Sequence, residues 1–96
     1  MPAYVVSEVE VVDEAAADRY RELAAASIAA HGGRYVVRGA SPEALEGTWD
    51  PAARLVVVEF PTVEAARAWY DSPEYADALA LSVTALRRRL LLADEV

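Results

Sequence analysis

The stretch Arg54-Leu55-Val56-Val57-Val58-Glu59-Phe60 decides the architecture. Its run of branched apolar residues predicts a strand buried on both faces. Side chains alternate along a strand, so Val56, Val58 and Phe60 fall on one side and Leu55 and Val57 on the other. A layer of helices can cover one of these sets. The other needs a second sheet, and a second copy of the chain packed face to face supplies it.

Working outward, Ala3 to Val11 alternates as a first strand, with Val5, Ser7, Val9 and Val11 on one side and Tyr4, Val6, Glu8 and Glu10 on the other. Asp13 is placed to cap a helix that runs to about His31, with Ala16, Tyr20, Leu23 and Ser27 at helical spacing. Gly32 ends that helix, since a residue without Cβ takes the left-handed C-terminal conformation at little cost. Arg34 to Arg38 reads as a second strand. Ala40 to Ala53 reads as a loop with at most a short helical turn around Pro42 to Leu45.

Beyond the deciding strand, Thr62 caps a helix through Tyr70, and Ser72-Pro73 opens another, with serine at the N-cap and proline at N1. Tyr75, Leu79, Val83 and Leu86 are predicted to share its inner side. Arg87-Arg88-Arg89 reads as a helix C-terminus leading into a last strand, Leu90 to Ala93. The order strand, helix, strand, strand, helix, strand is the split βαβ of the ferredoxin-like fold. It predicts an α+β protein with a four-stranded antiparallel sheet and helices on one face, one domain over residues 1–96.

Four motifs in this order carry a family resemblance: Gly32-Gly33-Arg34-Tyr35-Val36-Val37-Arg38-Gly39, Leu45-Glu46-Gly47-Thr48-Trp49, Val58-Glu59-Phe60-Pro61 and Ala68-Trp69-Tyr70-Asp71-Ser72-Pro73-Glu74-Tyr75. The chain resembles the bacterial family catalogued as domain of unknown function 1330, a branch of the dimeric α+β-barrel group. That resemblance implies a ferredoxin-like homodimer with no settled reaction. The wider group includes cofactor-free monooxygenases, isomerases and cyclases acting on aromatic or polyketide-like substrates. Two positions depart from the family pattern: Ser82 stands where an arginine is frequent, and Ala93-Asp94-Glu95 replaces a Glu-Gly ending.

Composition narrows the function classes. The 96 residues carry a formal charge of −7, which repels nucleic acid and anionic lipid headgroups. There are no cysteines, hence no disulfide framework, thiolate metal site or cysteine nucleophile. All nine basic residues are arginine, which fits a GC-rich bacterial coding sequence. The Met1-Pro2-Ala3 start has no basic segment followed by an apolar one, and no apolar run approaches a membrane span, so a cytoplasmic protein is expected.

Candidate chemistry is sparse. His31 is the single histidine, placed at a helix C-terminus, and a lone histidine argues against a metal centre. Glu59 interrupts an apolar strand, and an unpaired carboxylate there is costly. Arg34 and Arg38 are expected to share a strand face and to supply its partner. Glu59 and His31 are therefore the candidate acid or base residues. Arg34, Arg38, Trp49, Trp69 and Tyr75 are the candidate ligand-binding set, with Trp49 in the long loop as part of a lid. No cofactor is implied. The reading is a homodimer that binds a small, partly apolar or aromatic molecule between sheet and helices. The alternative is a cofactor-free enzyme whose proton is moved by Glu59 or His31.

Overall fold

A computed structural model describes residues 1–94 of the chain. Glu95, and with it the end of the Ala93-Asp94-Glu95 departure, lies outside the described residues. Four strands, β1 (Ala3–Val11), β2 (Arg34–Ala40), β3 (Arg54–Phe60) and β4 (Leu86–Asp94), alternate with α1 (Glu14–Ala30), α2 (Val63–Tyr70) and α3 (Pro73–Ala85). The strands form one antiparallel sheet in the order β2-β3-β1-β4. The architecture is the ferredoxin-like α+β fold expected from the element order.

The helix starts follow their caps. Asp13 Oδ1 accepts from Ala16 N at 3.1 Å, Thr62 Oγ1 from Ala65 N at 3.0 Å, and Ser72 Oγ from Tyr75 N at 3.2 Å. Pro73 follows in the first turn of α3. Gly32 takes φ +76° just after α1. At Gly33 a Cβ would stand 2.7 Å from Phe60 Cε1 and 2.8 Å from Ile28 Cγ2, so the chain turns into β2 only because that position carries no side chain.

The core lies between sheet and helices. Val5, Val58 and Phe60 from the sheet meet Ile28, Trp69 and Tyr75 from the helices. Buried positions on α1 and α3 are mostly small: Ala17, Ala24 and Ser27 on one, Ala78, Ser82 and Ala85 on the other. The opposite sheet face carries Val6, Leu55, Val57 and Leu91, bordered by the ion pairs Arg89–Glu8, Arg87–Glu10 and Arg34–Glu59.

Two local expectations are corrected. Helix α3 stops at Ala85 and the arginine run lies inside β4. Pairing with β1 is the cause: Arg87 and Arg89 stand opposite Glu10 and Glu8 on the open face, while Arg88 turns to the helices. Val83 is 80% exposed, so the inner side of α3 is Tyr75, Ala78, Ser82 and Ala85. The loop forms no helical turn at Pro42 to Leu45, within the expectation of at most a short one.

The expectation that Arg34 and Arg38 share a face is also overturned. Arg34 pairs in register with Glu59 on the open face, but Arg38 pairs with Val56 on the helix face. An irregularity between Tyr35 and Val37 shifts the register by one extra residue and reverses Val37 and Arg38, until a second one between Arg38 and Ala40 shifts it again.

Candidate functional site

A cavity of about 390 Å³ lies between the helix face of the sheet and the helices, mainly α1. That is within the range of roughly 300–1,000 Å³ typical of small-molecule sites. From the helices it is lined by Tyr20, Arg21 and Ile28 of α1 and Trp69 of α2, while the small buried residues of α1 and α3 lie outside the lining. Strand alternation delivers Val5, Ser7, Val9 and Val11 to its floor, with Val56 and Val58 from β3 and Leu86 and Leu90 from β4.

Two rows of side chains cross this floor from strand to strand. Register sets Arg38, Val56, Ser7 and Leu90 in one row, and Arg54, Val9 and Arg88 in the next. Neighbouring strands are about 4.8 Å apart, so the backbones of Arg54 and Arg88 stand roughly 10 Å apart across Val9. Arg21 of α1 joins them in the lining, although it is engaged with Asp18 at 2.6 Å. Among the described residues, no aspartate or glutamate lines the cavity. Four of the nine arginines of an acidic chain thus line one concave place.

The polar groups are specific. Arg88 donates from Nη1 to Tyr20 Oη at 2.7 Å and from Nη2 to Tyr75 Oη at 2.9 Å, and the two phenol oxygens are 2.8 Å apart. Burial pushes the Tyr75 phenol up, with the neighbouring Tyr20 adding to it and Arg88 pulling against it. Burial also draws the Arg88 guanidinium down, yet the two phenols outweigh it and leave its affinity for the proton raised. Burial raises the Tyr35 phenol against the pull of Arg38, whose guanidinium carbon sits 4.3 Å from the Tyr35 ring centre. Ser7 is 3% exposed, and its Oγ is the one buried side-chain polar atom among the described residues with no hydrogen-bond partner.

The residues singled out in the sequence divide between this cavity and other places. Trp69 and Arg38 line it. Trp69 is held by its indole N–H donating to Ser27 Oγ at 3.0 Å and by rings of Phe60 and Tyr75 at 5.3 and 4.2 Å. Tyr75 is fully buried and reaches the site through Arg88 and Tyr20. Glu59 and Arg34 lie on the opposite sheet face, where Arg34 Nε donates to Glu59 Oε1 at 2.8 Å and Tyr4 Oη donates to Oε2 at 3.2 Å. His31 caps α1 and pairs its Nε2 with Glu74 Oε1 at 2.8 Å, tying α1 to the first turn of α3. Trp49 donates to Ala53 O at 3.3 Å within its own loop, and the strands that flank this loop contribute Gly39 and Arg54 to the lining.

Ser7, Tyr20, Arg54 and Arg88 are among the lining residues that were not candidates from the sequence. Two of them left a trace. Ser7 is the polar member of the otherwise apolar side of β1, and alternation through Arg87-Arg88-Arg89 separates Arg88 from its neighbours once the run is read as strand.

Fold and site together define a ferredoxin-like α+β protein with a cationic, apolar-walled cavity under its helices. The chain belongs to the family described as Domain of unknown function (DUF1330), whose model matches residues 2–96. Among solved structures it is similar to RPA0582, a protein of unknown function from Rhodopseudomonas palustris, with a TM-score of 0.80 at 20% identity over 99% of this chain and 82% of that one. It is also similar to SnoaB, a cofactor-independent oxygenase from Streptomyces nogalater, with a TM-score of 0.70 at 14% identity over 99% and 93% of the two chains. A dimeric ferredoxin-like protein of unknown function from Thermobifida fusca gives 0.68 at 17% identity over 99% and 92%. No curated protein matches the sequence. At these identities the structural likeness concerns the fold. Among the described residues, no helix is long and apolar enough to cross a membrane.

Proposed function

We propose that the chain works as a homodimer that binds a small, partly apolar organic molecule in the cavity between sheet and helices. The observation that carries this reading is the cavity itself: a preformed volume of about 390 Å³ with valine, leucine and tryptophan walls and an unsatisfied serine hydroxyl in its floor. A site of this kind takes a ligand whose apolar body fills the walls and whose polar atoms meet the few polar groups.

The dimer follows from the other sheet face. Val6, Leu55, Val57 and Leu91 form an apolar centre with charged pairs at its edges, and Leu91 is 50% exposed in the single chain. An apolar centre inside a polar rim is the anatomy of an interface. The Thermobifida fusca relative, described as dimeric, agrees with this reading. Proton transfer by Glu59 or His31 has less support, because neither lines the cavity. The fold shared with an oxygenase does not alter that balance.

Native mass spectrometry of the gently purified protein tests both parts. A mass of two 10.4 kDa chains plus a reproducible small adduct is the expected result. A monomer overturns the interface. If the dimer carries no adduct and takes up no small molecule from a ligand library, the binding reading is overturned.

A further inference from the structure

We infer that the Tyr20–Arg88 end of the cavity is an anion subsite, and that the ligand is a small, partly apolar carboxylate. This inference rests on the binding reading above and specifies the chemistry of its ligand. It follows from counting protons around the two phenols. Tyr75 is fully buried, and its hydroxyl already accepts from Arg88 Nη2. A buried O–H needs an acceptor of its own, and guanidinium offers only donors. Tyr20 Oη, 2.8 Å away, is the acceptor within reach, so Tyr75 donates to Tyr20. Tyr20 Oη also accepts from Arg88 Nη1 at 2.7 Å, which fills both of its lone pairs.

The Tyr20 proton is then left over, on a residue that lines the cavity. It is also sharpened as a donor, because a hydroxyl that accepts from a guanidinium and from a second phenol becomes more polarised. Arg88 itself is half-buried and, among the described residues, meets two neutral phenols and forms no ion pair. A partly desolvated cation without a counter-ion favours an anion beside it. Ser7 contributes a second, independent sign. Its buried hydroxyl has no partner, and it lies one residue pair along β1 from Val9, the residue flanked by Arg54 and Arg88. Arg38 and Arg54 extend the same positive field across the sheet, and neither forms an ion pair among the described residues. The walls around these donors are aliphatic and aromatic, which selects a carboxylate carrying an apolar body over an inorganic anion.

The test uses matched pairs of probes on the whole chain, hydrocinnamate against hydrocinnamyl alcohol and hexanoate against hexanol, followed by methyl and amide NMR shifts up to millimolar concentrations. The carboxylates are expected to bind at least about tenfold more tightly than the alcohols and to weaken as salt is raised. Tyr20→Phe and Ser7→Ala, which keep the surrounding shape, should each reduce carboxylate affinity about tenfold and leave alcohol affinity within about twofold. Arg19→Ala, on the exposed side of α1, should change neither. Equal binding of acid and alcohol overturns the anion subsite and leaves the cavity reading standing. Loss of neither preference nor affinity in both variants overturns the assignment to Tyr20 and Ser7. Absence of saturable binding by any probe sinks the cavity reading and this inference together.

Discussion

Tyr20 on α1 and Tyr75 on α3, 55 residues apart, bring their hydroxyl oxygens to 2.8 Å and share one guanidinium, that of Arg88 on β4. Helix α1 is thus joined to the distant α3 and β4 by one polar knot at the edge of the cavity. Tyr75→Phe should destabilise the fold by about 1.5–3 kcal/mol, since it strips a partner from a partly buried cation. Tyr20→Phe should cost a similar amount, because it removes a partner of Arg88 and the acceptor of the buried Tyr75 hydroxyl. The double variant should cost less than the sum, as expected for residues in one network. Urea unfolding of the four proteins measures all three quantities.

The same knot makes stability depend on alkaline pH. The Tyr75 phenol is raised above its ordinary value of 10.0, chiefly by burial. Above that value the unfolded chain loses the Tyr75 proton while the folded chain keeps it, so the unfolded state binds fewer protons and stability falls as pH rises. The contribution is intact below pH 10.0 and is lost progressively from there up to the folded-state value. Thermal midpoints should therefore drop above pH 10.0, and Tyr75→Phe should show a smaller drop. Parallel slopes for the two proteins would remove Tyr75 as the source.

Ser7→Ala should raise stability by up to about 1 kcal/mol, the reverse of most core substitutions. The hydroxyl is buried without a partner, and removing an unmet donor recovers its desolvation cost without losing a bond. Denaturant midpoints check the sign. A protein made more stable but poorer at holding carboxylate probes would mark Ser7 as retained for the site.

Gly33→Ala should cost about 1–3 kcal/mol, because the new methyl lands against Phe60 and Ile28, both buried in the core. Gly32→Ala is expected to cost roughly 1 kcal/mol from its left-handed backbone alone, since its nearest neighbour, Pro61 Cγ, stands at an ordinary 3.5 Å. Thermal melts of the two variants should rank in that order.

Val57→Asp and Leu91→Asp, on the open sheet face, should shift the assembly to monomer in size-exclusion chromatography with light scattering. Val83→Asp, at a position 80% exposed on α3, should leave it unchanged. Arg34→Ala should cost under about 1 kcal/mol in chain stability, because the Arg34 side chain is 70% exposed in its pair with Glu59.

What the sequence by itself determined is everything that depends on local period and punctuation. Alternation in Ala3 to Val11 and Arg54 to Phe60, the caps at Asp13, Thr62 and Ser72, and the glycines after α1 each act over a few residues, so order and fold were legible from them. The four spaced motifs were legible as family signature for the same reason. What only the tertiary structure decided is which side chains meet. Arg38 faces the cavity because β2 slips register between Tyr35 and Val37, and nothing within β2 alone announces that slip. Glu59 met Arg34 as its strand position suggested, but on the face away from the cavity. Arg88 found Tyr20 and Tyr75 through pairing of β4 with β1 and packing of α1 beside α3, contacts across 68 and 13 residues. Such meetings depend on strand register and layer packing, which are set by long-range contacts, and so the cavity and its charge became visible only in the folded chain.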